Sequence, residues 1–224
     1  MKKIVIIPAY NEQGSILNTI EDIRKNAPDF DYVVINDCLK LCRKNGIRVL
    51  DLPINLGIGG AVQTGYLYAY RNNYDLAVQF DGDGQHDAKF LDIMAETLEK
   101  ENLDMVIGSR FINNQGFQSS AVRRFGIRFF EVLLRILFGQ KITDATSGMR
   151  MCNRKVMEFF IKDYPKDYPE PETVARLLRH KCKVKEIPVI MRERQAGVSS
   201  ISSLRKSAYY MCKVSLAILI ERLR

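Results

Sequence analysis

A mainly parallel α/β fold is predicted by three features of the first half of the chain: short apolar runs alternate with helix-spaced stretches, the first run (Ile4 to Ile7) is wholly apolar, and polar clusters close several of the runs. Strands are expected at Lys3–Ile7, Tyr32–Asn36, Arg48–Leu52, Leu76–Asp81 and Met105–Ser109. Between them Ser15–Asn26, Gly59–Asn72 and Ala88–Lys100 carry apolar residues at helical spacing and read as crossover helices. With 224 residues, 46% of them hydrophobic, one compact domain spanning 1–224 is expected.

Carboxyl ends of parallel strands present loops and helix N-termini with free backbone N–H groups, where such sheets bind ligands. Pro8-Ala9-Tyr10-Asn11-Glu12 follows the first strand, Asn36-Asp37 closes the second, and Asp81-Gly82-Asp83 closes the fourth. After Ser109 the texture changes to a polar loop, Asn113 to Ser120, then a basic apolar helix and a second set of short elements.

The formal net charge of +8 collects at Arg123, Arg124, Arg128 and Arg135 and again from Lys181 through Arg224, which implies an anionic partner. Nucleic acid, a phospholipid surface and a phosphorylated small molecule would each satisfy that charge; the motifs below select the last and leave no role for nucleic acid. Cys38, Cys42, Cys152, Cys182 and Cys212 form no CxxC pair, which argues against structural zinc. Their odd number and the lack of a secretory leader fit reduced thiols and a cytoplasmic protein. The longest apolar segment, Tyr209 to Ile220, is interrupted by Lys213, so no spanning helix is expected.

Gln79-Phe80-Asp81-Gly82-Asp83-Gly84-Gln85-His86-Asp87 is the strongest chemical signal. Two carboxylates one residue apart at a strand end can converge on a hard divalent cation, which would bridge a diphosphate and stabilise the charge that develops on a leaving group. The same residues could equally form an Asp-Gly turn whose carboxylates cap a loop.

The surrounding segments favour the metal site. Ile4-Val5-Ile6-Ile7-Pro8-Ala9-Tyr10-Asn11-Glu12 resembles the N-terminal signature of family 2 glycosyltransferases, and Asp81-Gly82-Asp83-Gly84-Gln85-His86 resembles the acidic motif of their dolichyl-phosphate mannose synthase-like, polyprenyl-phosphate glycosyltransferase branch. Asn55-Leu56-Gly57-Ile58-Gly59-Gly60-Ala61 matches the family's glycine-containing stretch between them, and Gly108-Ser109-Arg110, Asp144 to Arg150 and Arg192 to Ser200 match later segments. The resemblance implies a GT-A fold: a Rossmann-like, mainly parallel nucleotide-binding sheet flanked by helices, with a mixed acceptor-side part. It also implies a UDP- or GDP-sugar donor, a Mg²⁺ or Mn²⁺ ion, and inverting transfer to a polyprenyl phosphate or to a lipid-linked or cell-surface glycan. Residues 1–109 would be the nucleotide-sugar-binding half, 110–198 the acceptor-side half and 199–224 a C-terminal amphipathic helix.

Carried across by residue, the resemblance places Pro8, Ala9, Tyr10, Glu12, Asp37, Gly57, Gly60 and Asp81 at the nucleotide sugar. Asp83 would be the principal metal ligand and a catalytic residue, with Asp81 and Gln85 assisting. Glu170 and Glu172, read as lying just before a helix Thr173–Arg179, are candidates for a general base, or else simply complement the helix N-terminus. Arg110, Arg150, Arg192 and Arg194 are candidates for gripping an anionic acceptor.

One departure stands out: Asn36-Asp37-Cys38 runs straight into Leu39-Lys40-Leu41-Cys42, where the family has a loop of several residues. Either a deletion trims the nucleotide site or a loop is missing from the sequence as written; the abrupt, uncapped start of the helix Leu39–Asn45 favours the second. A degenerate, non-catalytic nucleotide-sugar-binding module is the alternative that this departure supports. A sugar-1-phosphate nucleotidyltransferase is disfavoured, because Pro8-Ala9-Tyr10-Asn11 stands where its glycine-rich loop would be, and an NAD site is disfavoured because the glycine cluster does not follow the first strand. Phe125 to Phe138 and Leu204 to Leu223 have the composition of interfacial helices, which predicts peripheral contact with the inner face of a membrane; burial in the core or in a homodimer interface is the alternative.

Overall fold

The computed structural model describes residues 1–35, 39–118, 121–193 and 204–224, with backbone alone at 39–40, 121–122 and 204–206. Asp37, Arg194 and the junction after Asn36 therefore lie outside the described residues. The strands are β1 (Lys3–Pro8), β2 (Phe30–Ile35), β3 (Val49–Leu50), β4 (Leu76–Gln79), β5 (Met105–Ser109), β6 (Arg150–Asn153) and β7 (Val184–Pro188). The α-helices are α1 (Ile16–Asn26), α2 (Leu39–Lys44), α3 (Gly57–Arg71), α4 (Leu91–Lys100), α5 (Ala121–Phe138), α6 (Arg154–Lys162), α7 (Pro169–Arg179) and α8 (Leu204–Leu223).

The sheet has the order β3-β2-β1-β4-β6-β5-β7, and only β6 runs against its neighbours. Both faces are covered, and the strand sequences show why. In β1, Ile4 and Ile6 join the apolar cluster that includes Val62, Tyr66, Phe130 and Phe160 from α3, α5 and α6. Val5 and Ile7 alternate to the opposite cluster with Ile16, Ile20 and Ile23 of α1 and Leu91, Met94 and Leu98 of α4. Each such side chain removed from water contributes ~1.5–3 kcal/mol, so a strand that is apolar at every position is stable only in the middle of a sheet. β3 is shorter than expected, Val49–Leu50, and pairs with β2 at Val34 and Ile35.

Two features of this topology place the site. The strand order reverses between β1 and β4, the position at which the loops of an open parallel sheet splay apart and leave a crevice. Because β6 is antiparallel, its first residue lies at that same edge, with Arg150 opposite Gln79 in the register. The 144–150 segment, distant in sequence, is thereby delivered beside the end of β4.

The N-terminus of α3 opens on the same edge, since it follows β3. Gly59 is needed there for close approach: its N–H donates to Lys166 O at 3.1 Å, and a Cβ would collide with the backbone carbonyls of Pro165 and Lys166. Helix α7 begins at Pro169, four residues before its expected start, after Tyr168 in a left-handed conformation (φ 52). Proline at a first helical position has no donor to leave unsatisfied, so the sequence Tyr-Pro-Glu-Pro-Glu starts the helix rather than preceding it.

Candidate active site

The end of β4 turns sharply through Asp81-Gly82-Asp83, and the turn is pinned from α1. Ser15 Oγ donates to Gly82 O at 2.7 Å and Thr19 Oγ1 to the same oxygen at 3.3 Å. Asp83 is buried, and its Oδ1 accepts the Gln85 N–H at 3.0 Å. Asp81 stays about one-third exposed, with 35% of its side-chain surface open.

The surroundings of Asp81 fix its direction. His86, buried and edge-on to Phe80, accepts the Asp81 backbone N–H through Nδ1 at 3.0 Å, so its ring proton sits on Nε2, which lies 3.8 Å from Asp81 Oδ2. Gln79 Nε2 donates to Asp81 Oδ1 at 3.4 Å, and the backbone of Gly148 closes the far side, where a Cβ would collide with Oδ2. Gln79 was within reach of sequence reasoning: it is the polar residue of an otherwise apolar strand, two positions before Asp81 and so on the same face.

Behind these carboxylates lies a buried charge lattice. Asp144 receives Arg110 in a bidentate pair, Nε to Oδ2 and NH2 to Oδ1 both at 2.7 Å, and its Oδ1 accepts Thr146 Oγ1 at 3.1 Å. Arg150 is fully buried. Its Nε donates to Ser147 O (3.0 Å), one terminal nitrogen to Glu170 O and Thr173 Oγ1 (3.1 and 2.8 Å), and the other to Ala145 O and Ser147 O (3.3 and 2.7 Å). All of its N–H groups thus end on protein oxygens. Here the expectation of an anion grip is corrected: Arg150 is a charged strut that ties the start of β6 to the first turn of α7.

The two glutamates separate. Glu170 lies on the site side, where burial raises its carboxyl above the usual glutamate range; Arg150 and the Gln79 amide oppose that rise and the Asp81 charge adds to it. Glu172 faces away from the site and pairs with Arg176 at 2.6 Å, in a cluster where Arg176 also meets Asp163 (2.7 Å) and Glu221 of α8 (3.0 Å). Successive helical positions two apart point to opposite sides, which removes Glu172 from the base candidates.

Arg192 is likewise engaged. It meets Asp22 of α1 at 3.3 Å and Asp87 at 3.0 Å, while its backbone N–H donates to Gln85 O at 2.8 Å. Burial pushes the Asp87 carboxyl up, but Lys89 and Arg192 outweigh it and hold the group below the usual range. Gln85 points its amide nitrogen at Arg192 O (3.5 Å), which leaves only its side-chain oxygen for a cation.

The residues after β1 sit at the mouth. Pro8 and Ala9 are buried, with Ala9 N–H donating to Ile35 O at 3.1 Å; Tyr10 is exposed; and Glu12 accepts from Ser15 through its carboxylate at 3.3 Å. Gly57 is exposed at the first position of α3, its N–H held by Asn55 Oδ1 at 2.8 Å, and Gly60 packs on Leu56.

Among the described residues, no three His, Cys, Asp or Glu side chains gather into a metal cage. Two carboxylates one residue apart in a turn, Asp81 partly open to solvent, supply the oxygen donors of a hard cation that takes its remaining ligands from water and a diphosphate. The donor set fits Mg²⁺ or Mn²⁺ in that manner.

A doubly covered, mainly parallel sheet with an acidic loop at its switch point and an antiparallel strand returning beside it is the architecture of the GT-A transferases. The structure superposes on glucosyl-3-phosphoglycerate synthase from Mycobacterium tuberculosis, solved with Mn²⁺, UDP-glucose and phosphoglyceric acid, with a TM-score of 0.71 over 99% of this chain and 79% of that one at 17% identity. The family model described as Glycosyl transferase family 2 matches residues 4–160. The chain belongs to that family and is a glycosyltransferase.

Its relatives include the undecaprenyl-phosphate mannosyltransferase of Micrococcus luteus, 27% identical over 216 residues that cover 90% of this chain and 88% of that protein. The polyprenol monophosphomannose synthase of Mycolicibacterium smegmatis is 24% identical over 240 residues, covering 100% and 90%.

Proposed function

We propose that the chain transfers a sugar, with inversion, from a UDP- or GDP-sugar to the phosphate of a polyprenyl carrier. The observation that carries this reading is the pair Asp81 and Asp83 at the β1/β4 switch point, with Gly148 and Arg150 brought alongside by the antiparallel β6. The names of the relatives above support the acceptor class.

The chain's own residues divide the work. Pro8, Ala9, Tyr10 and Glu12 line the mouth against the nucleotide, together with the N-terminus of α3 at Gly57 and Gly60, whose dipole favours the diphosphate. Asp81 and Asp83, with the Gln85 oxygen, would hold Mg²⁺ or Mn²⁺. A bound cation would there neutralise the departing nucleoside diphosphate. Gln79, His86 and Gly148 hold the Asp81 carboxylate in one orientation, and Arg110, fixed by Asp144, places positive charge next to it.

A phosphate acceptor is already an anion near neutral pH, so in-line displacement needs a positioned oxygen and a stabilised leaving group but no protein base. Glu170, a stronger base for having its carboxyl raised by burial, favours a second reading in which a glycan hydroxyl is the acceptor and Glu170 takes its proton.

Peripheral membrane contact is part of the proposal. Phe125, Phe129, Val132 and Ile136 form an exposed stripe along α5, with Arg124, Arg128 and Arg135 exposed beside it. Apolar and basic stripes side by side suit an anionic lipid surface such as the inner face of a membrane, whereas a homodimer would bury the apolar stripe against its copy. No helix among the described residues is long and apolar enough to cross a membrane. Sedimentation with anionic vesicles at low and high salt separates the two.

Nucleotide release from a panel of UDP- and GDP-sugars with Mn²⁺ and a polyprenyl phosphate tests the reaction. One donor should be consumed by the wild type and left intact by Asp83→Ala. Equal release by both proteins removes Asp83 from the mechanism.

A further inference from the structure

Helix α8, expected either at a membrane surface or packed into the core, lies against α5 and α7. Tyr210, Val214, Ile218 and Glu221 recur at the spacing of one helical face. Val214 and Ile218 are buried in the core, and Glu221 is buried against Arg176 and Arg179 at 3.0 and 3.5 Å. Lys213 adds an outer tie to Asp167 at 2.6 Å. The helix is therefore anchored along its length, and the direction of Tyr210 is set by that anchoring.

Tyr210 lies at the site end of this seam. Its ring stands nearly perpendicular to Tyr168, with centroids 4.7 Å apart, and to Phe130 of α5, with centroids 5.6 Å apart. Tyr168 is the residue from which α7 starts, immediately before Pro169 and Glu170. The charges that act on the phenol are those of Glu170, Arg123, Asp144 and Arg150, and Arg110 in turn feels the phenol. Glu170 and Arg110 also feel the Asp81 charge, and the ring contact with Tyr168 puts Tyr210 beside the start of α7, next to Glu170 in sequence.

We propose that α8 is a wall of the active site and that the Tyr210 hydroxyl binds the acceptor, donating a hydrogen bond to its anionic phosphate end. The inference rests on the polyprenyl-phosphate reading above and adds a residue to it. A phenol is neutral near neutral pH and so can donate to a phosphate oxygen; burial, and after it the Glu170 charge, raises its pKa further. The two ring contacts fix the hydroxyl's position in advance, which limits the entropy lost on binding.

An alternative role as a purely aromatic wedge is separable, because Tyr210→Phe keeps both ring contacts and removes only the donor. Binding of geranyl phosphate, with geraniol as the uncharged control, is measured by equilibrium dialysis in the presence of Mn²⁺ and nucleoside diphosphate, for wild type and Y210F. Nucleotide affinity and thermal midpoint are recorded in parallel. The proposal expects Y210F to bind geranyl phosphate about tenfold more weakly, as for loss of one hydrogen bond to a charged group, with geraniol binding, nucleotide affinity and midpoint unchanged. Equal geranyl phosphate affinity in the two proteins overturns the role of Tyr210 and leaves the reaction assignment standing. A parallel fall in nucleotide affinity and midpoint also overturns it, since the residue would then be structural. Wild-type protein that binds the nucleotide but no geranyl phosphate overturns both the role and the acceptor class.

Discussion

The backbone of Gly148 lies flat against the Asp81 carboxylate. A Cβ at that glycine would come within 3.0 Å of Cγ and 3.1 Å of Oδ1, and would overlap Oδ2 outright. A single methyl group at residue 148 therefore has to turn the carboxylate, while the buried apolar clusters on either face of the sheet are untouched. Gly148→Ala is expected to lower kcat about a hundredfold, the size of effect that a displacement of ~1 Å in a reacting group produces. Circular dichroism and the thermal midpoint should stay near wild type. Wild-type kcat in this variant would show that the orientation of Asp81 is not used.

The acceptor class is readable through Glu170. A general base contributes about 10²- to 10⁴-fold where a hydroxyl must lose its proton, and little where the nucleophile is already an anion. Glu170→Gln should retain transfer to a polyprenyl phosphate within about tenfold. Loss of transfer by more than about a hundredfold would favour the hydroxyl reading instead.

Stability at low pH should follow Asp104, which joins three strands at the opposite edge of the sheet. It accepts the Lys183 N–H at 2.8 Å, Asn153 Nδ2 at 3.1 Å and Lys155 Nζ at 3.1 and 3.2 Å. Burial alone would raise its carboxyl, but these donors prevail and hold it below the ordinary value of 3.8. The folded form thus binds a proton less readily than the unfolded chain, so the contribution is full above the unfolded value and is lost as pH falls through the folded one. Asp104→Ala should cost about 2 kcal/mol in urea unfolding at pH 7, the scale of hydrogen bonds to a charged group. The difference from wild type should shrink below pH 3.8; a difference that holds constant to acid pH would contradict the ionised role.

Much of the parallel half was legible because its strands announce themselves locally. Ile4 to Ile7 and Met105 to Ser109 are short apolar runs whose positions in β1 and β5 follow from composition alone. By contrast β6 is only Arg-Met-Cys-Asn, opens on a charge, and is a strand because β4 and β5 flank it on both sides, which no local pattern reveals.

The same limit explains the arginines. A sequence shows that Arg150 is cationic, but its burial depends on Glu170 O and Thr173 Oγ1, twenty or more positions away and reached only after α7 folds back. Glu172 could have been set aside earlier, since Arg176 four residues on is the spacing of a helical ion pair. Gln79 carries a signal of a different kind, as the polar residue of β4 two positions before Asp81, whereas His86 lies in the loop beyond the strand, where no period directs it.

In the proposed reaction a divalent ion held by Asp81 and Asp83 would be the grip on the donor's diphosphate. Electron paramagnetic resonance of Mn²⁺ titrated into the protein, with and without UDP or GDP, tests it most directly. Mn²⁺ should bind weakly alone and tightly once the matching nucleotide is present, and that tightening should be lost in Asp83→Ala. Nucleotide binding of equal strength without the ion, unchanged in Asp83→Ala, would contradict it.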